Sequence, residues 1–144
     1  GPGNEGLLLG ADNGDRAAFK TSSSGTYYSA IKTSLSPTSD VAWYHYVGTF
    51  TPSTSVKLYL DGAEAASNTT SIPATIGTGI NLRIGTRGDT SYRWDGIHDE
   101  VRIMDTDLSA DWISTEFNNQ DSSSTFYSLP RAHQRHRNRI IGAS

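Results

Sequence analysis

Four blocks of the chain decide the fold: Trp43-Tyr44-His45-Tyr46-Val47-Gly48-Thr49-Phe50, Val56-Lys57-Leu58-Tyr59-Leu60-Asp61-Gly62, Leu82-Arg83-Ile84-Gly85, and Trp94-Asp95-Gly96-Ile97-His98-Asp99-Glu100-Val101-Arg102-Ile103. In each, apolar and polar side chains alternate, which is the period of a half-buried β-strand. Each ends at a glycine, proline or aspartate, where a chain turns readily. In a strand over Ala42–Phe50, Trp43, His45 and Val47 share one face, expected inward, and Tyr44 and Tyr46 share the other. In Val56–Leu60, Val56, Leu58 and Leu60 are expected inward, with Lys57 and Tyr59 outward. Asp61-Gly62 suits the two positive-φ positions of a tight hairpin turn and leads into Ala63–Ala66. Ile80–Thr86, Tyr92–Trp94 and Ile97–Met104 read as further strands, the first with Ile80, Leu82 and Ile84 on one face.

Outside these blocks the same grammar continues. Leu7–Leu9 is a short apolar strand, and Asp12-Asn13-Gly14-Asp15 a turn. Strands over Arg16–Lys20 and Thr26–Lys32 flank Thr21–Gly25, and of Tyr27 and Tyr28 in the second strand only one can face the core. Ser34–Asp40 is a loop and Asn68–Gly79 a polar connection. One helix is expected after Ser109, an N-cap residue, with Asp111 near the positive end of the helix dipole. Trp112, Ile113 and Phe117 give it a narrow apolar stripe, and Asn118-Asn119 close it. Ser122–Pro130 reads as a last strand or extended arm.

The order W-x-H (Trp43, His45), L-Y-x-D-G (Leu58–Gly62), L-x-I-G (Leu82–Gly85) and D-G-x-x-D-E-V-R-I (Asp95–Ile103) resembles the later strands of bacterial laminin G-like domains. These belong to the concanavalin A-like lectin and glucanase group. The endings Asp107-Leu-Ser-Ala-Asp-Trp-Ile113 and Glu116-Phe-Asn-Asn-Gln120 with Ser124-Thr-Phe-Tyr127 are similar to that family's close. The resemblance covers residues 7–129 and implies an all-β fold: a two-sheet antiparallel jelly-roll sandwich with one short helix near the C-terminus. Family domains have several strands before the equivalent of Leu7, and here these are missing. That departure implies open sheet edges, hence dimerisation or complementation by another chain.

Composition agrees with thin sheets. The chain has 144 residues, which suits one domain, with 35% hydrophobic residues and 14 glycines against 5 prolines. Residues 1–6 read as a linker or the scar of tag removal, 7–129 as the domain and 130–144 as a tail. The absence of cysteine excludes disulfides and thiolate metal sites. No apolar run approaches the roughly 20 residues of a membrane span, and no leader peptide is visible. The formal net charge of -3 indicates no particular partner. The tail Arg131–Arg139 holds four of the twelve basic residues and two of the four histidines. Without interleaved aromatics it reads as a disordered segment rather than an arm for nucleic acid.

Carbohydrate binding needs an exposed aromatic beside amides and carboxyls. Tyr92, Trp94 and Asp95, with Arg87 and Asp89, form one such cluster on a turn-rich stretch. Tyr44, Tyr46 and Tyr59 form another on faces turned from the expected core. Against this, Trp94 could be a core residue and the tyrosines mere cover for the sheet. Catalysis fits poorly. A retaining glycosidase places two carboxyls about 5–5.5 Å apart, and the related glucanases do so from alternate positions of one strand. Asp99 and Glu100 are adjacent and face opposite ways, while 101 and 103 are Val and Ile. No catalytic residue is assigned. The resemblance implies a structural calcium, with Asp99 as its matching ligand. The alternative is that Asp99 caps a turn or pairs with an arginine. Asp12–Asp15 gathers oxygens but reads as a plain turn, and His45 as a core histidine without triad partners. Arg87-Gly88-Asp89 is an adhesion-type tripeptide that arises by chance, and Asn68-Thr69-Thr70 a glycosylation sequon.

The sequence therefore points to a non-catalytic recognition module, secreted or at the cell surface, that binds a glycan or a surface protein. The alternatives are a structural module that homo-oligomerises or complements another chain through open edges, and a glycoside hydrolase.

Overall fold

The computed structural model describes residues 6–12, 16–34, 42–77, 81–86, 94 and 96–123. They form six strands and a helix: β1 (Leu7–Ala11), β2 (Ala17–Ser23), β3 (Thr26–Lys32), β4 (Tyr46–Thr51), β5 (Ser55–Leu60), β6 (Ala63–Asn68) and α1 (Ala110–Asp121). Strands β1-β2-β3 make one antiparallel sheet and β4-β5-β6 the other. The sheets stack with β1 near β4, β2 near β5 and β3 near β6. The fold is all-β apart from the helix, a two-sheet arrangement that carries part of a jelly roll.

Strand register explains the core. Leu9, Phe19 and Ala30 stand abreast across the first sheet, and Gly48, Leu58 and Ala66 across the second. Ala17, Phe19, Ala30, Val56, Leu58 and Ile72 meet between the sheets, with Tyr28, Tyr46, Phe50 and Leu60 packed around them. The tightest junction is Phe19 against Gly48, where a β-carbon would stand 2.3 Å from the ring. Only a residue without a side chain admits Phe19 there.

That junction corrects the expected phase of β4. Gly48 faces inward, so Tyr46 and Phe50, two residues to either side, face inward with it. Trp43 lies before the strand and is 68% exposed. Tyr59, expected outward, is buried on the opposite face of β5, directly across from Val47. The connection after Asn68 is not wholly polar either, since Ile72 plugs the core.

Two turns behave as their residues dictate. Asp61 and Gly62 adopt φ of 48° and 78°, the paired positive values of a hairpin turn that matches the twist of its strands. Ser24 and Gly25, at 50° and 79°, do the same, so β2 runs on to Ser23 rather than stopping at Lys20.

Residues 81–86 and 97–104 form no strand beyond a single bridge residue at Thr86. Leu82, Ile84, Ile97, Val101, Ile103 and Met104 are exposed. Alternation gives a segment an apolar face, but a strand also needs a neighbour for its N–H and C=O groups. Among the described residues neither segment is paired along its length with a neighbouring strand. The helix starts where Ser109 predicts and continues past Asn118-Asn119 to Asp121. Ile113 is fully buried on it, whereas Trp112 turns out to solvent, 57% exposed, and leaves the expected stripe. No helix among the described residues is long and apolar enough to cross a membrane. The turn residues 13–15, most of the 34–40 loop, residues 92 and 93, the arm from 124 to 130 and the basic tail lie outside the described residues.

Candidate functional site

One corner of the second sheet gathers aromatic and hydrogen-bonding groups from three separate parts of the chain. The His45 N–H donates to Asp61 Oδ1 at 2.9 Å, and the Asp61 N–H donates to the His45 carbonyl at 2.9 Å. These bonds lay the segment before β4 along the β5–β6 turn. Helix α1 then covers the turn. The Phe117 and His45 ring centroids lie 6.0 Å apart, and a β-carbon at Gly62 would stand 3.0 Å from the Phe117 side chain. A glycine serves the turn twice, supplying positive φ and room for the ring.

On the same segment the Tyr44 and Tyr46 rings meet edge to face, 6.3 Å apart at 82°. His45 Nδ1 and the Tyr46 hydroxyl are buried, and neither has a hydrogen-bond partner among the described residues. Two such groups on consecutive residues are unusual, because buried polar atoms are nearly always paired. Burial pushes the Tyr46 phenol up to about 12, and Tyr44 and Asp61 push the same way. The phenol therefore stays a neutral hydrogen-bond donor at physiological pH. The Tyr46 hydroxyl and His45 Nδ1 are thus closed off from solvent, and what the segment presents outward is Trp43, 68% exposed. The sequence marked Tyr44, Tyr46 and His45 separately. Their union with Asp61 and Phe117 needed the fold, although the Asp-Gly turn signalled where it forms.

Of the expected turn cluster, Trp94 is described, while Arg87, Asp89, Tyr92 and Asp95 lie outside the described residues. The Trp94 N–H donates to the Gly85 carbonyl at 2.8 Å. Its ring lies 5.4 Å from that of His98 at 45°, over Gly96, where a β-carbon would stand 2.6 Å from the indole nitrogen. Trp94 is half-buried in this local turn and is not part of the core cluster. His98 as its neighbour was not anticipated, although two rings flanking a glycine are legible as a compact turn.

Asp99 is exposed and accepts a hydrogen bond from the Glu100 N–H at 2.8 Å, with Glu100 at φ 53°. It caps a tight turn. Arg102 pairs with Glu100 and Glu116 instead. Among the described residues no three acidic or histidine side chains come together as a metal would need. Calcium takes six to eight oxygens, and among the described residues no cluster of three such side chains supplies them around Asp99. Asp12 is also accounted for. Its buried carboxylate accepts from the Arg16 N–H and Nε, each at 3.2 Å, and pairs with the guanidinium.

None of the three tryptophans belongs to the core: Trp43 and Trp112 are exposed and Trp94 is half-buried. Two stacked antiparallel sheets, with their largest aromatics displaced to the surface, define an antiparallel β-sandwich. A family model for the concanavalin A-like lectin/glucanases superfamily matches residues 1–114, and the chain belongs to that superfamily. Among solved structures, it is similar to residues 221–444 of an S-layer domain-containing protein from Clostridium thermocellum. The identity is 22% and the TM-score 0.41, over 78% of this chain and 63% of that one. The chain thus spans less than two thirds of the structure it matches. No curated protein matches it significantly.

Proposed function

We propose that the chain is a non-catalytic recognition module, acting at the cell surface or outside the cell, which binds a carbohydrate or a protein partner through its surface aromatics. The displacement of all three tryptophans from the core carries this reading. A tryptophan buries 150–250 Å² when placed inside. A small β-domain that keeps three of them out of its core forgoes that stabilisation, and tryptophan is enriched among the residues that anchor binding surfaces. Trp94, with Arg87, Asp89, Tyr92 and Asp95 around it in sequence, is the proposed carbohydrate surface. Trp43, with Tyr44 beside it in sequence, forms a second contact region.

The test is a glycan array, backed by calorimetry on any hit, with wild type, Trp94→Ala and Trp43→Ala. Binding is expected to fall at least tenfold in one variant while its melting temperature holds. Undiminished binding in both variants would overturn the assignment to the tryptophans. Hydrolysis of any polysaccharide on the array would overturn the non-catalytic reading.

A further inference from the structure

The two flanks of the sandwich are guarded differently. On one flank, β3 ends in Lys32, and β6 carries Glu64, ion-paired to Lys57 at 2.9 Å. Charges on edge strands keep other chains from pairing there. On the other flank, β1 (Leu-Leu-Leu-Gly-Ala) and β4 (Tyr-Val-Gly-Thr-Phe-Thr) carry no charge and no proline. Asp107 reaches the end of β4, where the Thr51 hydroxyl donates to its carboxylate at 2.7 Å. Among the described residues no strand lies beyond β1, and the paired charges of Asp12 and Arg16 sit only past its C-terminal end.

Leu7 and Leu9 sit on the core face of β1, opposite Thr21 and Phe19, which are both buried. Yet Leu7 is 48% exposed and Leu9 46%. The core is thus left open along β1. The backbone tells the same story. Ser22 N–H donates to the Gly6 carbonyl, and Asp12 N–H to the Arg16 carbonyl, so the even-numbered residues of this stretch bond inward to β2. In an antiparallel ladder bonding direction alternates from residue to residue. The N–H and C=O groups of Leu7, Leu9 and Ala11 therefore point out of the free edge.

We propose that β1 pairs antiparallel with β1 of a second copy about a two-fold axis at Leu9, joining two three-stranded sheets into one of six strands. The symmetry is self-consistent. Leu9 meets Leu9 and Leu7 meets Ala11, and the outward-pointing groups are those that must bond in these pairs. No charge meets its like, because the strand has none. The half-exposed leucines of both copies come together and close the two cores against each other. This gives the oligomerisation expected from open edges a strand, a register and a partner. It does not depend on what the aromatic surface binds.

The experiment measures oligomeric state by light scattering and captures the axis with cysteine, of which the chain has none. Hydrogen-bonded antiparallel pairs have Cα atoms about 5.5 Å apart, within disulfide reach. Wild type is expected to be a dimer, and Leu9→Lys, which sets two like charges on the axis, a folded monomer by circular dichroism. Leu9→Cys is expected to oxidise to a covalent dimer at least tenfold faster than Leu82→Cys, a control at a more exposed position. A wild-type monomer at all concentrations, or a dimer whose Leu9→Cys variant cross-links no faster than the control, overturns the proposal. If Leu9→Lys fails to fold, the cross-linking comparison still decides.

Discussion

His45 and Asp61 hold each other by reciprocal hydrogen bonds, each backbone N–H donating to an oxygen of the other residue at 2.9 Å. Asp61 also occupies φ 48°, a region that aspartate and asparagine tolerate better than most residues. Asp61→Asn keeps both properties and is expected to change stability by less than about 0.5 kcal/mol. Asp61→Ala loses the acceptor and the local tolerance, with an expected cost of about 1–2 kcal/mol. Urea unfolding of the two variants checks this, and equal midpoints would remove the clamp from the explanation of the corner.

Tyr46 makes stability depend on alkaline pH. In the unfolded chain its phenol ionises near 10, whereas burial in the folded protein holds its proton to about 12. Its contribution is fully present below pH 10 and is lost as pH rises towards 12, because the unfolded state alone gains from ionising. Melting temperature is expected to fall over this window, and less steeply in Tyr46→Phe. At pH 7 the same variant deletes a buried hydroxyl with no partner among the described residues, so it should be neutral or slightly stabilising. A loss of more than about 1 kcal/mol at pH 7 would show that the hydroxyl is bonded.

Gly48→Ala tests the contact that sets the phase of β4. The added methyl collides with Phe19, and overpacking of this kind costs about 1–3 kcal/mol. The double variant with Phe19→Leu should recover part of that loss. Strictly additive effects of the two changes would refute the junction.

The helix cap is a simpler case. Ser109 Oγ accepts from the Trp112 N–H at 3.2 Å. Ser109→Ala should cost about 1 kcal/mol and Ser109→Asp very little. Because α1 places Phe117 over His45, the alanine variant should also shift the His45 ring resonances in an NMR spectrum, while the aspartate variant leaves them in place.

Asp99 offers a single exposed carboxylate, so thermal melting in a chelator is expected to match melting in millimolar calcium. A calcium-dependent rise of several degrees would demonstrate ligands beyond the described residues.

Local chemistry was legible wherever one or two residues decide it. Asp61-Gly62 announced its hairpin and Ser109 its helix, because turn conformation and cap hydrogen bonds are short-range. The phase of β4 was not legible. Trp43, His45 and Val47 are as plausible an inward row as Tyr46, Gly48 and Phe50, and glycine contributes nothing to a hydropathy pattern. What decides between the rows is Phe19, a residue of the other sheet. The same limit applies to the candidate site. Trp94 could be placed on a turn from its neighbours, but the corner joins a pre-strand segment, a hairpin and a helix. Leu82, Ile84, Val101 and Ile103 alternate like strand residues and stay exposed, since alternation names a face without naming a neighbour.

Each sheet is a meander of consecutive strands, so every ladder joins residues close in the chain. Closing such short loops costs little entropy. The two meanders can therefore form independently, and the late event in folding is their docking, with Phe19 entering the space above Gly48. Folding kinetics should then show a slowest step sensitive to Gly48 and indifferent to the hairpin turns.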